Sequence, residues 1–552
     1  MTIAPAPHAP AAPAENRIRH SGTARRKDDD RIVDLFRFPG LTHLAEPLER
    51  HRQRKDRRGR HAQYPALALL AVSAAARVTG SLASALTALQ DGELWARCQD
   101  AFYTRTQVDL PDRAPTRDHV NELRKDIASD PLTVRELRLA FTRASIRQAR
   151  KLGNLTEGVQ PDWAEPDPRH AIFGDGTIVR RYSDAELITC EFTGRTLLSG
   201  SRARDPRSAR VQHEFRKVGS DQKNSSGINH VTLHTRTSHG LVVLAVGTEL
   251  GAEQWTALDL LDDVAAETGD GVHTLVYDGA LTGWAVEYAM AKHGIQTFSK
   301  VPAASVKTEA QEYTRDEIDT YVSDVAREHK LEPTGRIAKV LRKDVLRQMY
   351  RGERPTAIGT SIYPPSKPDA DYDLVYSTYV FVKARHQGSD GQPCEHSLVL
   401  DDGALFSTDV DPTSELLVKD EYLPAIASTR RRRRNGRWGT DTSFLVPCPD
   451  GDFEWTATWD PDATRYHRDS AELGRAPQDA FGWRMRAVPR HDRDRFAVVS
   501  AGRNDSESFN RWFKDTLTNK RAATIDGRRQ LLDLLLGGVV KNSDTWSTYM
   551  GR

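Results

Sequence analysis

The sequence predicts an α/β protein, with a mixed sheet flanked by helices, a β-rich insertion interrupting it and a helical region in front. Three observations carry this reading. Between 171 and 300 the segments run strand, strand, strand, helix, strand, helix, strand. Residues 31 to 150 show a helical apolar period instead. From 301 to 490, charged helical sequence gives way to short β-rich runs punctuated by Pro, Asp and Gly.

A chain of 552 residues has length for several domains. The expected division is a tail (1–30), a helical region (31–160), a first core part (165–300), the insertion (301–490) and a second core part (491–552). The start, "MTIAPAPHAPAAPAENR", lacks the basic and apolar regions of a secretory signal and reads as a disordered Pro/Ala tail. No apolar run is long enough to span a bilayer, which predicts a soluble, cytoplasmic protein.

In the helical region, "PALALLAVSAAAR" (65–77) is an Ala/Leu-rich helix with Pro65 in its first turn. Thr79-Gly80 breaks it, and Ser81 can cap a second helix whose apolar face is Leu82, Ala85, Leu86 and Leu89. A third starts at Thr116, with Val120, Leu123 and Ile127 inward and Arg117, His119, Arg124 and Lys125 more exposed. Two helices joined at a glycine turn, then a basic helix, suggest a helix-turn-helix-like DNA-binding module.

The core begins with "AIFGDGTIV", a short strand interrupted by Gly174-Asp175-Gly176. "HVTLHTRT" (230–237) alternates with period two, turns at Ser238-His239-Gly240 and continues as "LVVLAVG", a hairpin pattern. A helix from Glu253 buries Trp255, Leu258, Leu261 and Ala265. "HTLVYDGAL" (273–281) has the apolar run of a central parallel strand ending at Asp278. A helix near 284–292 and a strand at 295–300 follow. After the insertion, "RFAVVS" (495–500) returns to apolar sequence, and a leucine-rich helix near 528–540 packs on the sheet.

Asp175 and Asp278 each follow an apolar strand core. Two carboxylates brought together inside a sheet are costly unless a cation lies between them. Glu507, on a helix crossing the sheet, is the candidate third ligand. Three carboxylates suit Mg²⁺ (or Mn²⁺), and a two-ion site can bracket a phosphodiester.

The stretch "GRNDSESFNRWFK" (502–514) supplies the counter-charge. With Arg503 at 0° on a helical wheel, Glu507 falls at roughly 40° and Lys514 at roughly 20°. Phe509, Trp512, Phe513 and Leu517 lie on the packed side. Arg503 and Lys514 would then neutralise a phosphodiester approaching the acids. The competing structural reading is a capping box, Asn504-x-x-Glu507, which would start the helix near Asp505.

The net charge is only +2, so phosphate contact falls to local patches. These are "HRQRKDRRGRH" (51–61) and Arg430 to Arg434 with Arg437 and Trp438. Both also read as solvated surface. The four cysteines, Cys98, Cys190, Cys394 and Cys448, form no C-x-x-C and fit a reducing compartment. Cys394 and His396 with distant Cys448 are conceivable zinc ligands at poor spacing.

"FGDGT", "VYDGAL" and Arg503-x3-Glu507-x6-Lys514 resemble the three catalytic motifs of bacterial insertion-sequence DDE transposases, enzymes with an RNase H-like core. One large subgroup of these ends in Tyr-x2-Arg-x3-Glu-x6-Lys. The resemblance covers 170–300 and 495–545, and the β-rich stretch resembles the insertion such enzymes carry before the last acid. Ser500 stands where the subgroup has tyrosine, a residue associated with handling the DNA end.

The resemblance implies cut-and-paste transposition, with Mg²⁺-dependent cleavage at terminal inverted repeats and then strand transfer into target DNA. It implies a homodimer on paired double-stranded DNA ends in the bacterial cytoplasm. Asp175, Asp278 and Glu507 would be the catalytic and metal-binding residues. Arg503, Lys514 and Ser500 would contact DNA, joined from the insertion by Arg432, Arg437 and Trp438, the last by base stacking. The rival readings are an RNase H-like nuclease without strand transfer and a catalytically inactive DNA-binding relative.

Overall fold

In the computed structural model, the described residues are 27–55, 62–180, 187–189, 196–198, 215–218, 224–248, 253–277, 280–281, 283–299, 312–328, 330, 332, 372–374, 380–410, 417–461, 485–524 and 526–551. Seven helices come first: α1 (Asp28–Arg37), α2 (Pro39–Lys55), α3 (Ala66–Val78), α4 (Leu82–Leu89), α5 (Gly92–Thr106), α6 (Arg117–Ser129) and α7 (Pro131–Lys151). Ser81 caps α4 by accepting the Ser84 amide at 3.0 Å. Helices α3 and α4 meet at a bend of 113°.

Helix α3 is apolar all round and is buried from Ala66 to Arg77, as expected of a central helix. Its neighbours include α1, α2, α6 and the last helix of the chain. No single helix among the described residues is long and apolar enough to cross a membrane.

Strand β1 (Ala171–Arg180) opens the central sheet, and a small hairpin of β2 (Leu187–Thr189) and β3 (Thr196–Leu198) stands apart from it. Then come β4 (Phe215–Val218), β5 (Asn224–Thr237) and β6 (Gly240–Thr248), helix α8 (Glu253–Thr268), β7 (Thr274–Val276), α9 (Trp284–His293) and β8 (Gln296–Phe298). The order is β4-β5-β1-β7-β8, with β6 also pairing β5. Strand β5 is antiparallel to β1 and β6, whereas β7 is parallel to both β1 and β8. The sheet is therefore mixed, as the segment order predicts.

One expectation changes. The Gly174-Asp175-Gly176 stretch does not interrupt the first strand, because β1 pairs continuously with β5 from Phe173 to Arg180. The insertion contributes β9 (Glu312–Thr314), helix α10 (Arg315–Glu328) and β10 (Tyr372–Leu374). It then forms a four-stranded sheet of β11 (Val380–Gln387), β12 (Pro393–Asp401), β13 (Ala404–Val410) and β14 (Leu417–Leu423). A three-stranded sheet follows: β15 (Ala425–Arg432), β16 (Trp438–Val446) and β17 (Phe453–Trp459). The chain ends with α11 (Arg493–Ser500), α12 (Arg503–Asp515) and α13 (Gly527–Tyr549).

Period-two alternation divides the central sheet between two cores. Ile172, Leu233 and Leu244 face α8, packing with Leu258, Leu261 and Tyr277. On the other face Val179, Val243 and Val246 join Phe509 and Phe513 of α12, the leucines of α13 and the N-terminal helices. Phe173 and Val276 instead pack with the insertion through Leu398, Leu400 and Phe444.

Helix α6 departs from its expected role at one residue. Arg124 is mostly buried, its guanidinium 2.6 Å from the carboxylate of Asp533 on α13. A buried acid needs that partner, so Arg124 is spent on the fold.

The C-terminal helix also closes the edge of β6, where a bulge displaces the ladder beside Val243. The Asn542 side chain accepts from the Val243 amide at 2.7 Å and donates to the Val243 carbonyl at 2.9 Å, in place of a neighbouring strand. Asn542→Leu orphans both buried groups. It is expected to destabilise the protein by about 2–4 kcal/mol, read as a lower denaturation midpoint against wild type.

Candidate active site

Strand β1 carries Asp175 because alternation turns its side chain away from α8. Gly174 and Gly176 point the other way, and there a side chain has no room. A Cβ on Gly174 would stand 2.5 Å from the Tyr277 ring and 2.7 Å from Leu233. One on Gly176 would stand 2.4 Å from the Glu253 carboxylate. That carboxylate is already committed, accepting from Tyr277 Oη at 3.0 Å and Asn229 Nδ2 at 2.9 Å. The Gly-Asp-Gly motif is thus a strand that α8 approaches closely on one face while presenting an acid on the other.

Asp175 is half-buried and its Oδ2 accepts from Asn510 Nδ2 on α12 at 2.7 Å, across 335 residues of chain. Sequence reasoning singled out Glu507 and missed Asn510. A buried polar residue at roughly 340° on the wheel, between the aromatic face and Arg503, was the available signal.

Helix α12 is fixed to the sheet at its start. His234 Nε2 lies 3.2 Å from Ser506 Oγ and 3.4 Å from the Gly502 carbonyl. Arg236 donates to the Ala501 carbonyl at 3.1 Å and lies 3.4 Å from Asp505. Ser506, Phe509, Asn510 and Phe513 are buried. Arg503 and Lys514 are half-buried and Glu507 is exposed.

The helix begins at Arg503 with Gly502 before it and no side-chain cap, so Asn504 is a helical residue and the capping-box reading fails. Neither Arg503 nor Glu507 makes a hydrogen bond or ion pair with the described residues. Ser500 closes α11, three residues before Arg503. The expected apolar segment 495–500 is helical, because α11 packs Val499 and part of Phe496 against the insertion.

The parallel ladder of β1 and β7 pairs Phe173 with Val276. Asp175 is two residues beyond Phe173, and Asp278 is two residues beyond Val276. Asp278 itself lies outside the described residues, as do residues 56–61 of the first basic run.

The second basic run forms the β15–β16 hairpin, where three of its arginines face acids of the same chain. Arg431 bonds Asp441 at 3.0 Å and Asp460 at 2.7 Å, Arg433 lies 3.4 Å from Asp460, and Arg430 lies 3.5 Å from Asp270. Arg432 and Arg434 are exposed and Arg437 is half-buried. The guanidiniums of Arg430 and Arg432 lie 4.8 and 4.6 Å from the centre of the Trp438 ring, which also packs beside Gly294. No family model, curated protein or solved structure matches the chain.

Burial lowers the His234 pKa from its ordinary 6.5 to about 4, against the raising effect of the Gly502 carbonyl. His273, stacked on His170 just ahead of β7 and β1, is likewise lowered to about 4 by burial and then by that neighbour. These rings are neutral in the folded protein and would be charged more readily unfolded. Their contribution to stability is therefore complete above about pH 6.5 and is lost as the pH falls toward 4. Thermal midpoints measured from pH 7 to pH 4 should fall accordingly, with a shallower slope in His234→Gln.

Proposed function

We propose that the chain is a DDE-type DNA transposase with an RNase H-like core, cleaving element ends and joining them to target DNA. The observation that carries this reading is the bond from Asn510 to Asp175. It seats on one acid-bearing strand the helix that holds Arg503, Glu507 and Lys514. Sheet order supports it: the antiparallel β5–β6 hairpin lies on one side of β1, and the two parallel strands β7 and β8 lie on its other side. The equal offsets of Asp175 and Asp278 from the last pair of the parallel ladder support it as well.

The donor set fits a hard divalent cation. It is all oxygen, with Asp175 oriented by Asn510 and Glu507 exposed on the same helix as Asn510. Asp175, Asp278 and Glu507 would hold Mg²⁺. Bound there, Mg²⁺ supplies activation of the attacking oxygen and stabilisation of the leaving one. Around it the chain's own groups position the substrate. Arg503 offers a bidentate fork to a phosphate and Lys514 a point charge, both on the helix face that carries Glu507. His234 and Ser506 hold the helix in register on the sheet that carries Asp175.

Glu507→Gln is expected to leave the fold intact, because the side chain is exposed and bonds none of the described residues. Mg²⁺-dependent cleavage of DNA bearing the element's own ends should drop by at least about 100-fold, the scale of losing one charge-stabilising group. Retained cleavage would remove Glu507 from the site. In the same assay, products joined to target DNA distinguish transposition from hydrolysis alone. Arg503→Ala should lessen the slope of log binding constant against log salt by about 1, as expected for one lost phosphate contact. An unchanged slope in a titration with labelled DNA would count against that contact.

A further inference from the structure

The insertion brings His386 to the three residues, Cys394, His396 and Cys448, that the sequence offers as zinc ligands at poor spacing. His386 on β11, Cys394 and His396 on β12 and Cys448 after β16 each offer one ligand atom, all within 4.8 Å of one another. His386 Nε2 lies 3.3 Å from Cys448 Sγ, and Cys394 Sγ lies 3.1 Å from His396 Nε2. The two sulfurs are 4.0 Å apart and both cysteines are free thiols.

A tetrahedral zinc ion with bonds of about 2.3 Å to sulfur and about 2.0 Å to nitrogen requires ligand-to-ligand edges of about 3.3–3.8 Å. The observed separations bracket that range. The backbone produces the arrangement directly. His386 and Cys394 are opposed across the β11–β12 ladder, and His396 is two residues further along β12 on the same face.

The fourth ligand comes from the other small sheet. Cys448 sits at the start of a tight turn between β16 and β17, closed by the Gly451 amide donating to the Cys448 carbonyl at 2.9 Å. Phe453 of β17 stacks on His386 with ring centres 3.8 Å apart, fixing the imidazole plane.

We propose that His386, Cys394, His396 and Cys448 form a structural zinc site that fastens the β11–β14 sheet to the β15–β17 sheet. Two thiolates and two imidazoles select a soft or borderline cation over Mg²⁺ or Ca²⁺, and tetrahedral S₂N₂ geometry selects zinc. Four protein ligands leave no position for substrate, so the role is to hold structure. Binding closes a loop of 62 residues between His386 and Cys448, and in a reducing compartment it does so without a disulfide.

The test uses the full chain purified without chelator. Elemental analysis is expected to find about one zinc ion per chain, as a closed four-ligand site holds. Replacement by Co²⁺ should give the visible bands of a tetrahedral site with sulfur-to-cobalt charge transfer. Cys448→Ser should weaken zinc retention by well over tenfold, since changes even outside the ligand shell weaken such sites roughly tenfold or more. It should also lower the thermal midpoint.

The wild-type cobalt spectrum needs no variant, so a misfolded mutant cannot obscure the result. A wild-type chain that holds no zinc after exposure to Zn²⁺ and gives only an octahedral cobalt spectrum overturns the proposal. Full zinc retention in a folded Cys394→Ser, Cys448→Ser double variant overturns it equally.

Discussion

The seating of α12 on the central sheet is the constraint on which the rest depends. Residues 503–515 come late in the chain, after the whole insertion, yet they lie against β1 and β5. Apolar burial of Phe509 and Phe513 supplies the attraction, but burial is non-directional and would tolerate rotation of the helix. The polar contacts remove that freedom. Asn510 on Asp175 and Ser506 beside His234 fix both the rotation and the height of the helix. They thereby decide that the helix face bearing Arg503, Glu507 and Lys514 is turned away from the packed aromatic side.

The N-terminal helices and α13 form the other half of this support. Helix α13 packs on β6 with its leucines and completes the edge of that strand with Asn542. It also pairs Asp533 with Arg124 of α6. The first helices and the last are thus bound into one core that backs the sheet on the α12 side. Polar groups buried there are costly unless matched, so each match makes the packing specific as well as stable. The insertion meets the sheet elsewhere, around Phe173 and Val276, and leaves α12 its own seat.

Much of the fold is legible in the sequence because the signals are local. The period-two run at 230–237, its turn and the following apolar strand appear as β5 and β6, extended by a few residues. The helices from Glu253 and near 284 appear in place, and so does the segregation of Phe509, Phe513 and Leu517 from Glu507. Local readings fail where a longer-range contact competes. Gly174 and Gly176 look like an interruption of the strand in sequence but serve close packing of Tyr277 and Glu253 against an unbroken strand. Arg124 looks solvent-facing until Asp533, over 400 residues away, claims it.

By itself the sequence determined the period of most central elements, the chain order of the strands and helices between 171 and 300, and the positions of Asp175, Glu507, Arg503 and Lys514 on their strand and helix. These follow from side-chain spacing within a few residues, which the backbone geometry of helix and strand translates directly into faces. Tertiary structure alone decided which faces meet. It brought Asn510 to Asp175, and it joined His386 to Cys394, His396 and Cys448 from two different sheets. Such meetings depend on how separate elements pack and pair, and residues distant along the chain carry no local pattern that records them.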